Sequence, residues 1–176
     1  DYSWEQNRSD AQALAEMLWT AWRCPVPVVG RIQGDCYAGG VGLASVCDVL
    51  VAAEAATFCL SEARLGLLPA TISPYVIRAM GVNAARRYFL TAEKFDAAEA
   101  FRIGLVHDLV PPEELDVRIN ALLGTLMQTS AHAVAEAKRL VRELAAPPID
   151  DALVADTAER IASIRTSDDG REGVRA

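Results

Sequence analysis

The sequence predicts an α/β fold from three observations. Short runs of β-branched and apolar residues lie in the first two-thirds of the chain. One of them enters a glycine-dense turn that feeds a helix, and another strand follows, which is the order of α/β proteins. The last third reads as helices with apolar stripes. The chain has 176 residues, 52% of them hydrophobic, enough for one domain with its own core and too apolar for an intrinsically disordered chain.

Each element has a local cause. Residues 9–22 carry Leu14, Met17, Leu18 and Ala21 at helical spacing, with Ser9 or Asp10 as cap and Pro25 as the stop. Pro27 to Ile32 reads as a short strand of β-branched residues. Gly34 to Gly42 is a turn, and helical spacing resumes from Gly40 to Cys47. Asp48–Ala52 and Thr57–Leu60 read as two more strands. Ser61 to Ala70 is a loop. Pro74 opens a helix that Gly81 ends, and Asn83 caps the next, Ala84–Leu90. Asp96-Ala97-Ala98-Glu99 has the form of a capping box before a short helix ending near Gly104. Leu105–Val110 is strand-like. Helices are then expected from Pro112 to about Gln128, from Ser130 to about Leu144, and from Asp150 to about Thr166, before a polar tail. Two regions follow: 1–110 as core and 111–176 as a helical region packing on that core or on a neighbouring subunit.

Charge and composition exclude several classes. Lys and Arg number 17 against 24 Asp and Glu, a net charge of −7, and the pI is near 4.8, which argues against a nucleic-acid partner. No apolar run approaches the roughly 20 residues of a membrane-spanning helix. Cys24, Cys36, Cys47 and Cys59 show no Cys-x-x-Cys spacing, and His107 and His132 lie far downstream. The cysteines read as free thiols of a reducing cytoplasm, without a metal site or disulfides.

Two segments carry candidate chemistry. Ala38-Gly39-Gly40-Val41-Gly42 joins strand to helix, where backbone N–H groups are free to hold a phosphate or an oxyanion. A dinucleotide fingerprint lacks its third glycine here, and a P-loop lacks its Lys-Ser/Thr ending. Close helix–strand packing explains the same glycines, so spacing leaves packing and an anion site open. Glu62 follows an apolar strand and precedes Leu65-Gly66-Leu67-Leu68-Pro69; the setting desolvates a carboxylate and suits acid/base work, although a surface glutamate or a cap partner fits the same position. Asp48 is expected to satisfy backbone N–H groups, Asp35 and Glu54 to serve turns, and His107 to stand on the outer face of a strand. No Gly-x-Ser-x-Gly elbow is present.

Four motifs in order resemble the crotonase superfamily of enoyl-CoA hydratases and isomerases. Pro25–Gly34 is similar to that family's strand before its oxyanion glycines. Ala38 through Cys47-Asp48 resembles its G-G-G-x-x-L-A-x-x-C-D motif. Ala56 to Pro69 resembles A-x-F-x-x-P-E-x-x-L-G-x-x-P, and Ala97 to Val106 resembles A-x-E-A-x-x-x-G-L-V. The resemblance implies a ClpP/crotonase-like fold, a ββα superhelix with a C-terminal helical trimerisation region. It implies an acyl-CoA substrate, a homotrimer or hexamer, and no cofactor beyond the coenzyme A of the substrate. Measured against the family, the chain is expected to begin after the A-G-A-D segment that supplies the first oxyanion donor, and to stop within the final segment.

By position the resemblance makes Gly39 the second oxyanion donor and Glu62 the acid/base, with Ala38, Gly40, Gly42, Ser61, Pro69 and Ala70 lining the substrate. The family's two-glutamate hydratases carry an acid three residues after the donor glycine; here that residue is Gly42. The expected reaction is reversible hydration of an α,β-unsaturated acyl-CoA. An isomerase using Glu62 alone, a thioester hydrolase and a non-catalytic binding protein are the alternatives. Ile72-Ser73-Pro74-Tyr75-Val76-Ile77-Arg78 is similar to the bacterial methylglutaconyl-CoA or carboxygeranoyl-CoA hydratase branch, whose substrates carry a distal carboxylate that Arg64 or Arg78 would pair with.

Overall fold

The structure is a computed structural model and describes residues 2–175. Its first compact unit runs from the N-terminal helix to Leu122, leaving out Pro25–Pro27. Helix α1 spans Trp4–Arg23 and starts earlier than its apolar spacing implies. Ser3 is the cap: its side chain accepts from the Gln6 N–H, and the Gln6 side chain accepts from the Ser3 N–H, a complete capping box.

Among the described residues, six short strands make two three-stranded sheets. Strands β1 (Val29–Ile32), β3 (Val49–Ala53) and β6 (Asp108–Val110) form a parallel sheet with β3 in the middle. Strands β2 (Cys36–Tyr37), β4 (Thr57–Cys59) and β5 (Phe95–Asp96) form the other, with β2 parallel and β5 antiparallel to β4. The expected turn at Gly34–Gly42 therefore contains a strand, β2. Two residues are too few to show a sequence period, and pairing with β4 defines the strand.

Asp48 has the role expected of it. Its Oδ2 accepts from the Val28 N–H at 2.7 Å while its own N–H donates to the Val28 carbonyl at 2.8 Å, closing the start of the β1–β3 pair. The exposed His107 ring also serves this sheet: Nδ1 accepts from the Leu50 N–H at 3.0 Å.

Helix α2 (Gly39–Ser45) follows β2, and a four-residue 3₁₀ helix (Glu62–Leu65) follows β4. Helix α3 (Ser73–Thr91) is interrupted at Gly81, where φ is 78° and ψ 159°, so the two expected helices exist on either side of that residue. Helix α4 (Ala97–Arg102) is capped by Asp96, which accepts from the Glu99 N–H at 2.8 Å. The reciprocal half of the expected box is absent, because the Glu99 carboxylate binds Tyr88 and Arg102 instead. One apolar core draws Leu18 from α1, Val41 from α2, Leu50 from β3, Phe58 from β4 and Ile72, Val76 and Tyr88 from the α3 region, all buried. Under β4 the Tyr88 and Phe95 rings lie 4.1 Å apart, and Phe58 and Phe95 lie 5.6 Å apart.

This unit extends past residue 110. A 3₁₀ turn (Pro112–Glu114) leads into α5 (Leu115–Leu126), whose Leu115 is buried with Val51 and Ala53 of β3. The second unit comprises Pro25–Pro27 and the chain from Leu123. It holds α6 (Ala131–Leu144), capped by Ser130, and α7 (Asp151–Thr166), capped by Asp150, at the expected starts. Lys138 Nζ donates to the Val26 carbonyl at 3.1 Å, which attaches the short proline segment to α6. The polar tail is helical, α8 (Asp168–Arg175), with Ser167 accepting from the Gly170 N–H. Among the described residues, no helix is long and apolar enough to cross a membrane.

Candidate active site

The register of β2 and β4 brings the two candidate chemical segments together. The strands are parallel, with Cys36 opposite Phe58 and Tyr37 opposite Cys59. Their carboxyl ends therefore lie side by side, the place where open α/β sheets hold ligands. Gly39 comes two residues beyond Tyr37, and Glu62 three beyond Cys59. The β2 strand is tied by side chains as well: Tyr37 Oη lies 3.2 Å from Thr57 Oγ1, and Lys94 Nζ sits 5.1 Å from the Tyr37 ring centroid.

Ala38 makes the turn. Its φ is 47° and its ψ −118°, a conformation that favours glycine. Two sets of hydrogen bonds hold it there. The Ala38 N–H donates to the Cys59 carbonyl at 2.8 Å, and its carbonyl accepts from Val41 at 2.9 Å and Gly42 at 3.4 Å. The N–H groups of Gly39 and Gly40 find no acceptor among the described residues. An added Cβ at Gly39 would meet nothing within 4 Å, so a ligand atom has room to approach. Strain held by surrounding bonds next to unsatisfied donors is a feature of functional sites.

Glu62 begins the 3₁₀ helix, and its backbone carbonyl accepts from the Leu67 N–H at 3.0 Å. Its Oε2 is buried without a hydrogen-bond partner, the one such side-chain oxygen or nitrogen among the described residues. A buried carboxylate oxygen left unpaired costs about 1–3 kcal/mol, a cost usually met where a proton or a ligand is to be received. Leu65, Leu67 and Leu68 beside it are exposed, at 73%, 62% and 74%. The site thus combines free N–H donors, an unpaired acid oxygen and an apolar surface.

The other predicted residues distribute as follows. Ala38 and Gly40 flank Gly39 and are half-buried, as is Ser61 before Glu62. Pro69 and Ala70 use their carbonyls locally, for the Ser73 N–H and the Ser73 hydroxyl. Gly42 is buried beneath Ile72. Arg64 is exposed, and Arg78 is bonded to the Pro74 carbonyl of its own helix; neither pairs with Glu62. Cys36, close under the turn, is a buried free thiol whose desolvation pushes its pKa up to about 11, which keeps it protonated and unreactive. No group of three His, Cys, Asp or Glu side chains among the described residues is placed to hold a metal. In the second unit, a groove of about 810 Å³ between α6 and α7, lined by residues such as His132, Leu140, Arg160 and Ile164, contains none of the predicted site residues. Sequence reading missed the Ala38 conformation and the Ile72 contact; the first had a faint signal in the run of glycines after it, the second had none.

Comparison with known proteins identifies the family. The family model described as enoyl-CoA hydratase/isomerase matches residues 3–176. The enoyl-CoA hydratase AKT6-1 of Alternaria alternata is 41% identical over 132 residues, 74% of this chain and 44% of its own. The crystal structure of an enoyl-CoA hydratase from Shewanella pealeana superposes with a TM-score of 0.95 at 42% identity, over 99% of this chain and 65% of that one. A Legionella pneumophila protein assigned to the enoyl-CoA hydratases/isomerases (crotonases) gives a TM-score of 0.95 at 39% identity, over 100% of this chain and 68% of its own. The chain spans less than half the length of the curated relative and about two-thirds of the solved chains. The fold is the crotonase fold, and the chain belongs to the enoyl-CoA hydratase/isomerase family.

Proposed function

We propose that the protein carrying this chain catalyses reversible addition of water to an α,β-unsaturated acyl-CoA thioester. The observation that carries the reading is the β2–β4 register, which sets the unpartnered Gly39 N–H and the Glu62 carboxylate at adjacent strand ends. The thioester oxygen accepts from the Gly39 N–H, which stabilises the enolate charge as it develops; one such donor is worth about 3–4 kcal/mol. Glu62 takes a proton from water as the water oxygen bonds to Cβ, then delivers a proton to Cα. The exposed leucines after Glu62 offer a surface to the acyl chain. A substrate with a distal carboxylate, such as 3-methylglutaconyl-CoA, is the finer form of this proposal, with Arg64 or Arg78 as its partner. Assembly as a trimer or hexamer in the cytoplasm belongs to the same reading.

One observation favours a second reading. Gly42 supplies no second carboxylate, and one acid suffices to carry a proton between two carbons of an enoyl chain. An isomerase would use Glu62 to remove a proton from C2 of a 3-enoyl-CoA and return it at C4.

The test is the loss of conjugated enoyl-thioester absorbance with crotonyl-CoA and 3-methylglutaconyl-CoA, beside a Glu62→Gln variant. Loss that the variant abolishes is expected, and the better substrate identifies the acyl class. A folded protein that consumes neither substrate overturns the hydratase reading, and 3-enoyl-CoA then tests the isomerase.

A further inference from the structure

Gly42 is closed over by one side chain. A Cβ built on it would lie 2.2 Å from Ile72 Cγ2 and 2.7 Å from Ile72 Cβ, well inside the roughly 3.5–4 Å of carbon contact. Of the three glycines in Ala38–Gly42, Gly42 alone is crowded: nothing lies within 4 Å at Gly39, and only Cys36 Sγ, at 3.6 Å, at Gly40. Gly42 lies one helical turn after Gly39, on the same face of α2. Ile72 ends the segment that begins at Glu62. Hydrogen bonds from Leu67 to the Glu62 carbonyl and from Ser73 to the Pro69 carbonyl, each 3.0 Å, fix that segment. Ile72 is only 2% exposed and is stiff at χ1, so it has nowhere to retreat.

We propose that Ile72 is a specificity-determining residue, which fills the space a side chain at position 42 would need and so limits the site to the single carboxylate of Glu62. The inference rests on Gly39 and Glu62 acting as oxyanion donor and acid/base. It assigns the one-acid character of this site to steric closure by Ile72, the residue just before α3, and it makes positions 42 and 72 a matched pair. Proton traffic then runs through Glu62 alone.

A four-member cycle of the protein carrying this chain tests the pair without any substrate: the parent, Gly42→Ala, Ile72→Ala and both together. Gly42→Ala should lower the melting temperature by roughly 5 °C through overpacking. In the Ile72→Ala background the same change should cost clearly less, because the 2.2 Å clash with Cγ2 is gone and only the 2.7 Å contact with the Cβ of residue 72 remains. Equal costs in both backgrounds would overturn the pair. A second arm compares the pH profile of kcat for Ile72→Ala and for Gly42→Glu with Ile72→Ala, or Gly42→Asp with Ile72→Ala should the glutamate variant not fold. The added acid should introduce a second ionisation. A coupled pair with an unchanged profile would mean that position 42 faces away from the reacting atoms, and the specificity role falls. A coupled pair in a protein inactive on every enoyl-CoA would overturn the reading of the reaction, and with it that role, while the steric pairing would stand measured.

Discussion

The Ala38 N–H and the Cys59 carbonyl lie 2.8 Å apart, and this bond joins the turn that presents Gly39 to the strand that delivers Glu62. Ala38 holds a φ of 47° to make it. A β-branched side chain tolerates that backbone poorly. Ala38→Val should therefore destabilise by about 2 kcal/mol and reduce kcat more than KM, because the N–H loses its aim. Ala38→Gly should be neutral or stabilising by up to about 1 kcal/mol, since relief of strain outweighs the added freedom of the unfolded chain. Chemical denaturation of the three proteins, with steady-state rates, decides it; equal stability of the valine and glycine variants would refute the role of the turn.

The buried Oε2 of Glu62 has no partner, so the residue should oppose folding while it serves the proposed reaction. Glu62→Leu should raise stability by about 1 kcal/mol, because an unsatisfied polar atom gives way to an apolar group of similar size. Activity should fall by about 10²–10⁴-fold in Glu62→Gln, which keeps the shape and loses the acid. Urea midpoints and rates of the two variants check both statements. A leucine variant that is less stable than the parent would mean that Glu62 holds the fold instead.

Asp48 makes a structural contrast within the same motif. Its Oδ2 accepts from the Val28 N–H at 2.7 Å, and its removal leaves that donor without this acceptor. Asp48→Ala should cost about 1–3 kcal/mol, with kcat unchanged at temperatures where the variant stays folded. A loss of kcat without a loss of stability would move Asp48 from the scaffold to the site.

Much of this was readable from local chemistry. Asp48, Asp96, Ser130 and Asp150 cap or close elements with side chains whose partners lie on the backbone nearby or on the paired strand, and the sequence marks such residues by type and position. Gly39 and Glu62 were singled out through motifs. What escaped depends on contacts across the chain. The strand β2 exists because β4 pairs with it, the strained turn at Ala38 because Cys59 accepts its N–H, and the closure of Gly42 because Ile72, thirty residues later in sequence, packs on it. Helix α1 begins at a capping box six residues before the reading that started from apolar spacing, since exposed polar turns leave no apolar period. The tail helix α8 was unreadable for the same reason.

The Glu99, Tyr88 and Arg102 cluster should set both edges of the stability–pH curve. Two bonds from Arg102, at 2.6 and 2.7 Å, and then one from Tyr88 Oη at 2.8 Å hold the Glu99 carboxyl down at about 2, from an ordinary value of 4.5. Burial first, and then the bond to Glu99, push Tyr88 up to about 12, from an ordinary value of 10. A carboxylate with a depressed folded pKa stabilises above its unfolded value and loses that contribution as pH falls through the folded one. Glu99 should therefore begin to withdraw support below pH 4.5, and the loss should be complete near pH 2. The phenol has the opposite sign: its support is full below pH 10 and disappears as pH rises through 12. Urea midpoints measured across pH for the parent, Glu99→Gln and Tyr88→Phe test this directly. Glu99→Gln should flatten the acid edge, and its deficit against the parent should shrink toward pH 2. Tyr88→Phe should flatten the alkaline edge. Curves that run parallel to the parent at both ends would show that these bonds add nothing to the folded state.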